Sequence, residues 1–214
     1  VNKFLGDGIL FFFNAPRPNS GYVADAVDCI LDLQRMMVGF NADLKAQGLP
    51  QLKLRAGVTT GTTITGDAGS QGRTDYTVIG DLVNLAARLE SANKFFGTAN
   101  LVTEPTTTRA GERFLFRPIG SILVMGKQQG VKVYEALAYA ADATDAQKAL
   151  AALTADVTKT FAAGDAAACL AALAKLEAAT GPTKLTKSYR AIVEPHAKGE
   201  AAGPMPKEIV LDAK

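Results

Sequence analysis

Apolar residues recur along the chain in two rhythms, and the changes of rhythm mark out its elements. The opening stretch VNKFLGDGILFFF sets apolar residues on both sides of Gly6-Asp7-Gly8, a turn signal, and predicts a β-hairpin over residues 1–13. Leu10 to Phe13 is uniformly apolar, which predicts a buried central strand. Between Tyr22 and Ala46 the rhythm turns helical: Val23, Val27, Ile30, Leu33, Met37, Phe40 and Leu44 follow steps of three and four. Gly48-Leu49-Pro50 ends this long amphipathic helix, and Met36 and Met37 read as core filler. Leu52 to Thr65 alternates as a strand, with Gly57 and Gly61 placed where a bulge or a close backbone approach would fall. Gly66 to Asp75 reads as a polar, Gly-rich loop. Tyr76 to Ile79 is a short apolar strand, Gly80-Asp81 a turn, and Leu82, Leu85, Ala86 and Leu89 one face of a helix with Asp81 as its N-cap. Phe95-Phe96-Gly97 closes that helix. A strand at Asn100–Thr103, a short helix from Pro105, and strands at Phe114–Leu123 and Val131–Ala138 follow.

Strands alternate with helices, but hairpins occur too. The expected fold is therefore an α/β (α+β) sandwich with a mixed or antiparallel sheet, not a doubly wound parallel one. The pattern shifts near Tyr139. Ala140 to Thr180 is Ala-rich and reads as an α-helical hairpin broken at Gly164-Asp165, with Phe161, Leu170, Leu173 and Leu176 along its seam. A third helix is predicted from Lys184 to Val193, and the Pro204 and Pro206 region reads as an extended arm. The expected organisation is a first domain over 1–138, a helical extension over 139–195 and an arm over 196–214.

Composition narrows the picture. Hydrophobic residues at 48% and charged residues at 21% describe a folded globular chain rather than a disordered one. A net charge of +2 argues against nucleic acid or anionic lipid as a partner. One His and two well-separated cysteines, Cys29 and Cys169, exclude a zinc site of the usual kind and fit a reducing, cytoplasmic compartment. No run is apolar and long enough to span a bilayer, and no signal peptide is present. No GxxxxGK[ST] occurs, which excludes a P-loop, and Gly6-Asp7-Gly8 lacks the rest of a dinucleotide fingerprint. The chain opens with Val directly on a strand-like segment, so it is expected to be a fragment lacking an N-terminal part.

Few residues offer chemistry. Asn84 and Arg88 lie one helical turn apart, so an amide and a guanidinium share a face able to hold a ribose and a phosphate. The same spacing suits a solvated polar stripe. Asp7, between glycines at a hairpin tip, can approach a metal-bound phosphate, or simply make the turn. Lys3 reads alone as a strand-end charge. The loop before Val131 carries Lys127, which could put a cation near phosphates.

Together these segments resemble the catalytic domain of the class III nucleotidyl cyclases, the adenylate and guanylate cyclases. NKFLGDGILFFF, LRAGVTTGTTITGDAGSQGRTDYTVIGDLVNLAARLES and PIGSILVMGKQQGVKVYEAL occur in the family's order across residues 1–138. The resemblance implies a ferredoxin-like sandwich acting as a head-to-tail homodimer, with two divalent metal ions (Mg²⁺ or Mn²⁺) and ATP as substrate. By the same resemblance, Asp7 is a metal ligand, Asn84 orients the ribose, Arg88 stabilises the transition state, and Lys3 and Thr77 read the base. Thr stands at the position of Thr77 in a bacterial subset of the family, where Asp is usual, and Lys3 with Thr77 suits adenine. The family's first metal-binding Asp, in a pattern like FxDIxGF on a first strand, is absent, so the fragment alone is expected to be inactive. Met125 stands about where the family often has a phosphate-binding Lys, leaving Lys127 as the candidate. The helical tail resembles the short extension that follows the domain in some bacterial members, and the resemblance implies an upstream sensor or membrane domain. A guanylate cyclase, or a non-catalytic cyclase-homology module, are the alternatives.

Overall fold

The computed structural model describes residues 1–70, 73–123 and 129–211, the side chains of Ser70 and Arg73 excepted; Lys127 lies outside them. In chain order the strands are β1 (Lys3–Leu5), β2 (Gly8–Leu10), β3 (Ala56–Val58), β4 (Ile64–Ser70), β5 (Arg73–Ile79), β6 (Asn100–Thr103), β7 (Phe114–Leu123), β8 (Val131–Tyr139) and β9 (Ile209–Val210). The helices are α1 (Tyr22–Ala46), α2 (Asp81–Phe96), α3 (Glu104–Ala110), α4 (Asp145–Ala162), α5 (Ala166–Thr180) and α6 (Lys184–Ala197).

The main sheet has the order β3-β6-β8-β7-β9. Its two outermost pairs, β3–β6 and β7–β9, are parallel, and β6–β8 and β7–β8 are antiparallel. The mixed sheet expected from the hairpin and helix pattern is therefore present. β1–β2 and β4–β5 form separate two-stranded ribbons.

Successive side chains of a strand point to opposite faces, and the core follows that alternation. On one face α1 packs Val23, Val27, Ile30 and Leu31 against Val102 and Ala136. On the other, Leu101, Ile119, Ile122 and Val133 meet Leu85, Leu89 and Phe96 of α2. Ile119 and Ile122 are three apart, yet they share a face because β7 shifts register between Pro118 and Gly120. Gly120 has φ of 130°, and a Cβ there would strike the Tyr189 hydroxyl. That hydroxyl, fully buried, donates to the Ile119 carbonyl at 2.8 Å. Tyr189 of α6 thus holds the bulge in β7.

The helices after Tyr139 pack on this second face. Val157 and Phe161 of α4, Leu173 and Leu176 of α5, and Leu185, Tyr189 and Val193 of α6 belong to one buried cluster with α2 and β7. The expected seam is present: Phe161, Leu173 and Leu176 are buried and Leu170 packs at the margin. Thr144 and Thr183 close capping boxes at the starts of α4 and α6. In the arm, Met205 and Ile209 are buried, and Ile209 pairs with Ile122.

Three expectations are corrected. β2 ends at Leu10, and Phe11 to Phe13 are half-buried outside any strand, because β2 pairs with β1 alone. Of Leu52 to Thr65 only β3 and the start of β4 are strand, and within Gly66 to Asp75, where a Gly-rich loop is expected, β4 continues to Ser70 and β5 begins at Arg73, running into the expected strand at Tyr76 to Ile79. The distal half of α1 projects beyond the sheet, leaving Met36 at 62% and Phe40 at 46% exposure instead of in the core.

Tyr189→Phe should lower unfolding stability by about 1–3 kcal/mol, since it strands a buried carbonyl without its donor. Urea denaturation should show a lower midpoint at an unchanged slope; an unaltered midpoint would remove this role for the hydroxyl.

Candidate active site

The α2 helix begins directly after β5, and its first described residue, Asp81, is already helical. The N-cap is Gly80, with no side-chain cap, so the expected capping role of Asp81 is not what the structure shows. The backbone makes its turn at Gly80, and Asp81 adds a carboxylate to the first turn, where it favours the helix dipole.

The inward face of α2 rests on β3 almost without intervening side chains. A Cβ on Gly57 would collide with the Ala86 carbonyl and come within 2.6 Å of the Glu90 amide. Thr59 Oγ1 donates to the Leu82 carbonyl at 3.0 Å. Asn93, 1% exposed, donates through Nδ2 to the Ala56 and Leu89 carbonyls, both at 2.9 Å, and accepts from the Thr98 hydroxyl at 2.6 Å. Arg55 and Glu90 add an ion pair at 2.8 Å. Just past the helix, the Ala99 amide donates to Glu135, which also pairs with Arg117 at 3.3 Å. Burial pushes the Glu135 carboxyl up, and Arg117 and the amide pull it back.

Leu85, Leu89 and Phe96 are buried, and Asn84 and Arg88, one turn apart as expected, lie on an exposed flank of α2. Thr77, 8% exposed, lies in β5. The Asn2 side chain spans from the β1–β2 ribbon to β5: Nδ2 donates to the Tyr76 carbonyl at 2.6 Å, and Oδ1 accepts from the Thr77 hydroxyl at 3.1 Å. Phe12 lies against Tyr76, with ring centroids 6.2 Å apart. Lys3, the next residue after Asn2, is thereby held on the ribbon that docks at Thr77. Asp7 is exposed at the tip of that ribbon.

The structure therefore ties the Lys3 ribbon to Thr77, and places Asn84 and Arg88 on the helix that follows Thr77. None of these residues lines the cavity along β3, a space of about 140 Å³ whose walls include Leu10, Phe12, Val58, Leu82 and Ala86. Among the described residues no group of three His, Cys, Asp or Glu side chains could hold a metal ion. Asp7, the expected metal ligand, presents an exposed carboxylate at the ribbon tip. Sequence reasoning missed Asn2, Thr59 and Asn93; it did single out Gly57 as a place of close backbone approach.

Comparison with known proteins adds to this geometry. Residues 3–137 match the family model described as the adenylate and guanylate cyclase catalytic domain. The chain is 33% identical over 135 residues to adenylate cyclase 1 of Rhizobium meliloti, covering 63% of the chain and 20% of that protein. It is 32% identical over 142 residues to adenylate cyclase of Anabaena cylindrica, covering 63% of the chain and 27% of that protein. The chain thus spans about a quarter or less of these relatives. Among solved structures, it is similar to the adenylyl cyclase CyaB from P. aeruginosa, at TM-score 0.59 and 29% identity over 67% of this chain and 72% of that one. It is equally similar to the guanylyl cyclase Cya2, at TM-score 0.58 and 29% identity over 64% and 69%.

Gly57→Ala should destabilise the protein by roughly 1–3 kcal/mol through overpacking against α2. Gly66→Ala, with open space around the added methyl, is the control. Thermal unfolding should separate the two; equal melting temperatures would mean that β3 and α2 have room to part.

Proposed function

Because this chain belongs to the adenylate and guanylate cyclase catalytic domain family, we propose that it is an adenylate cyclase domain converting ATP to cyclic AMP and pyrophosphate. The ribose 3′-oxygen forms a bond to the α-phosphorus as the bond to the bridging oxygen breaks and pyrophosphate leaves. Arg88, on the exposed face of α2, offers guanidinium donors to the charge that builds on the α-phosphate oxygens. Asn84, one turn earlier, holds the ribose so that its hydroxyl is in line. Lys3 and Thr77 take the base edge, and Lys127 the outer phosphates. Divalent metal ions, when bound, activate the hydroxyl and neutralise phosphate charge. Asp7 is the residue of this chain that would contribute to holding them.

The observation that carries the choice of ATP is the docking of the Lys3 ribbon on Thr77. The curated relatives described above are named adenylate cyclases, which agrees with this choice. The second reading, a guanylate cyclase, is favoured by the equal likeness to Cya2. We infer a head-to-tail homodimer, the assembly that the family resemblance implies. Asn84 and Arg88 are exposed on α2, a position that a second copy could cover.

Full-length protein with Mn²⁺ should form cyclic AMP from ATP and much less cyclic GMP from GTP. No cyclic AMP from a folded dimer would sink the reading, and a preference for GTP would install the alternative. Arg88→Ala should lower kcat by about 10²-fold with little change in the KM for ATP. A loss confined to KM would make Arg88 a binding residue only.

A further inference from the structure

Asn2 makes two side-chain hydrogen bonds, and together they have only one possible polarity. The Tyr76 carbonyl oxygen can only accept, so the amide atom 2.6 Å from it must be the NH₂ group. The other amide atom, 3.1 Å from Thr77 Oγ1, is therefore the carbonyl oxygen, which also can only accept. The Thr77 hydroxyl has a single proton, and Asn2 takes it. What Thr77 has left to present is lone pairs. At 8% exposure it has little water to compete for that proton. The main chain reinforces the arrangement, since the Asn2 amide donates to the Leu10 carbonyl at 2.9 Å and fixes the residue on the ribbon.

We propose that Asn2 is a specificity-determining positioning residue: it locks Thr77 as a hydrogen-bond acceptor, so that the site selects a purine bearing an exocyclic amine over one bearing a carbonyl. This deepens the reading of Thr77 and Lys3 as base contacts and rests on it. Lys3 has only donors to offer. The pair thus presents one acceptor and one donor. The adenine edge answers with its 6-amino donor and its unprotonated N1. The guanine edge offers a 6-carbonyl acceptor and an N1–H donor, the reverse at both points. A threonine hydroxyl free to rotate would accommodate either base; a hydroxyl whose proton is already committed will not.

The test is the ratio of kcat/KM for ATP to that for GTP in the full-length protein. Asn2→Ala should lower the ratio by about 10-fold or more, chiefly through better use of GTP, because the freed proton can turn toward a carbonyl. Thr77→Val, which removes the acceptor, should lower the ratio through poorer use of ATP. If Thr77→Val changes the ratio but Asn2→Ala leaves it within about 2-fold, the role of Asn2 is overturned while the base-contact reading stands. If neither changes it, the base-contact reading falls and this inference with it. In the unmodified protein, ITP keeps the guanine 6-carbonyl without its 2-amino group and should be rejected as strongly as GTP. Use of ITP on a par with ATP would overturn the proposal with no substitution made.

Discussion

The contact on which the rest depends is the seating of α2 on β3. A helix backbone resting directly on a strand requires a position without a side chain, and Gly57 supplies it. Once the two backbones are that close, their polar groups need partners, and Asn93 and Thr59 provide them from either side of the contact. The helix is held by its buried face so firmly that its outward residues have a defined direction. Asn84 and Arg88 are placed by what lies behind them.

The same helix joins the two halves of the sequence. Its apolar residues share one cluster with β7 and with α4, α5 and α6. α6 adds polar ties: the Lys184 ammonium donates to the Lys94 carbonyl at 3.0 Å near the end of α2. Arg190, bonded to both Glu177 and Glu194, fastens α6 to α5 and makes the helical extension a single rigid backing.

The outward side is built differently. The β1–β2 ribbon exposes Phe4 at 73% and Leu5 at 59%, and its ties to β5 are few and polar. Geometry at the Thr77 end therefore depends on single hydrogen bonds, where loss of one partner reorients the other. At the α2 end it depends on a packed core, where loss of one contact is shared among many.

Local pattern was enough wherever an element carries its own punctuation. The bounds of α1 follow from a long helical period closed by Gly48-Leu49-Pro50, and α2, α3, β6 and β7 follow likewise from period and breakers. The pairing of Asn84 with Arg88 on one exposed face was legible because helical spacing alone determines it. What could not be read is what depends on a partner distant in the chain. Leu10 to Phe13 has the composition of a buried strand, but a strand needs neighbours. In the ribbon of β4 and β5 only Tyr76 to Ile79 carries a strand pattern; Gly66 to Asp75 is polar and Gly-rich, with no apolar alternation to announce its pairing. Gly57 signalled a close approach without naming Ala86, nearly thirty residues later. Asn2 gave no signal at all, since an asparagine beside a strand has many ordinary uses. Its polarity is determined only when folding brings a carbonyl from Tyr76 and a hydroxyl from Thr77 to the two ends of one amide. Residue type and spacing are properties of the chain; which atom donates and which accepts is a property of the neighbours that tertiary structure supplies.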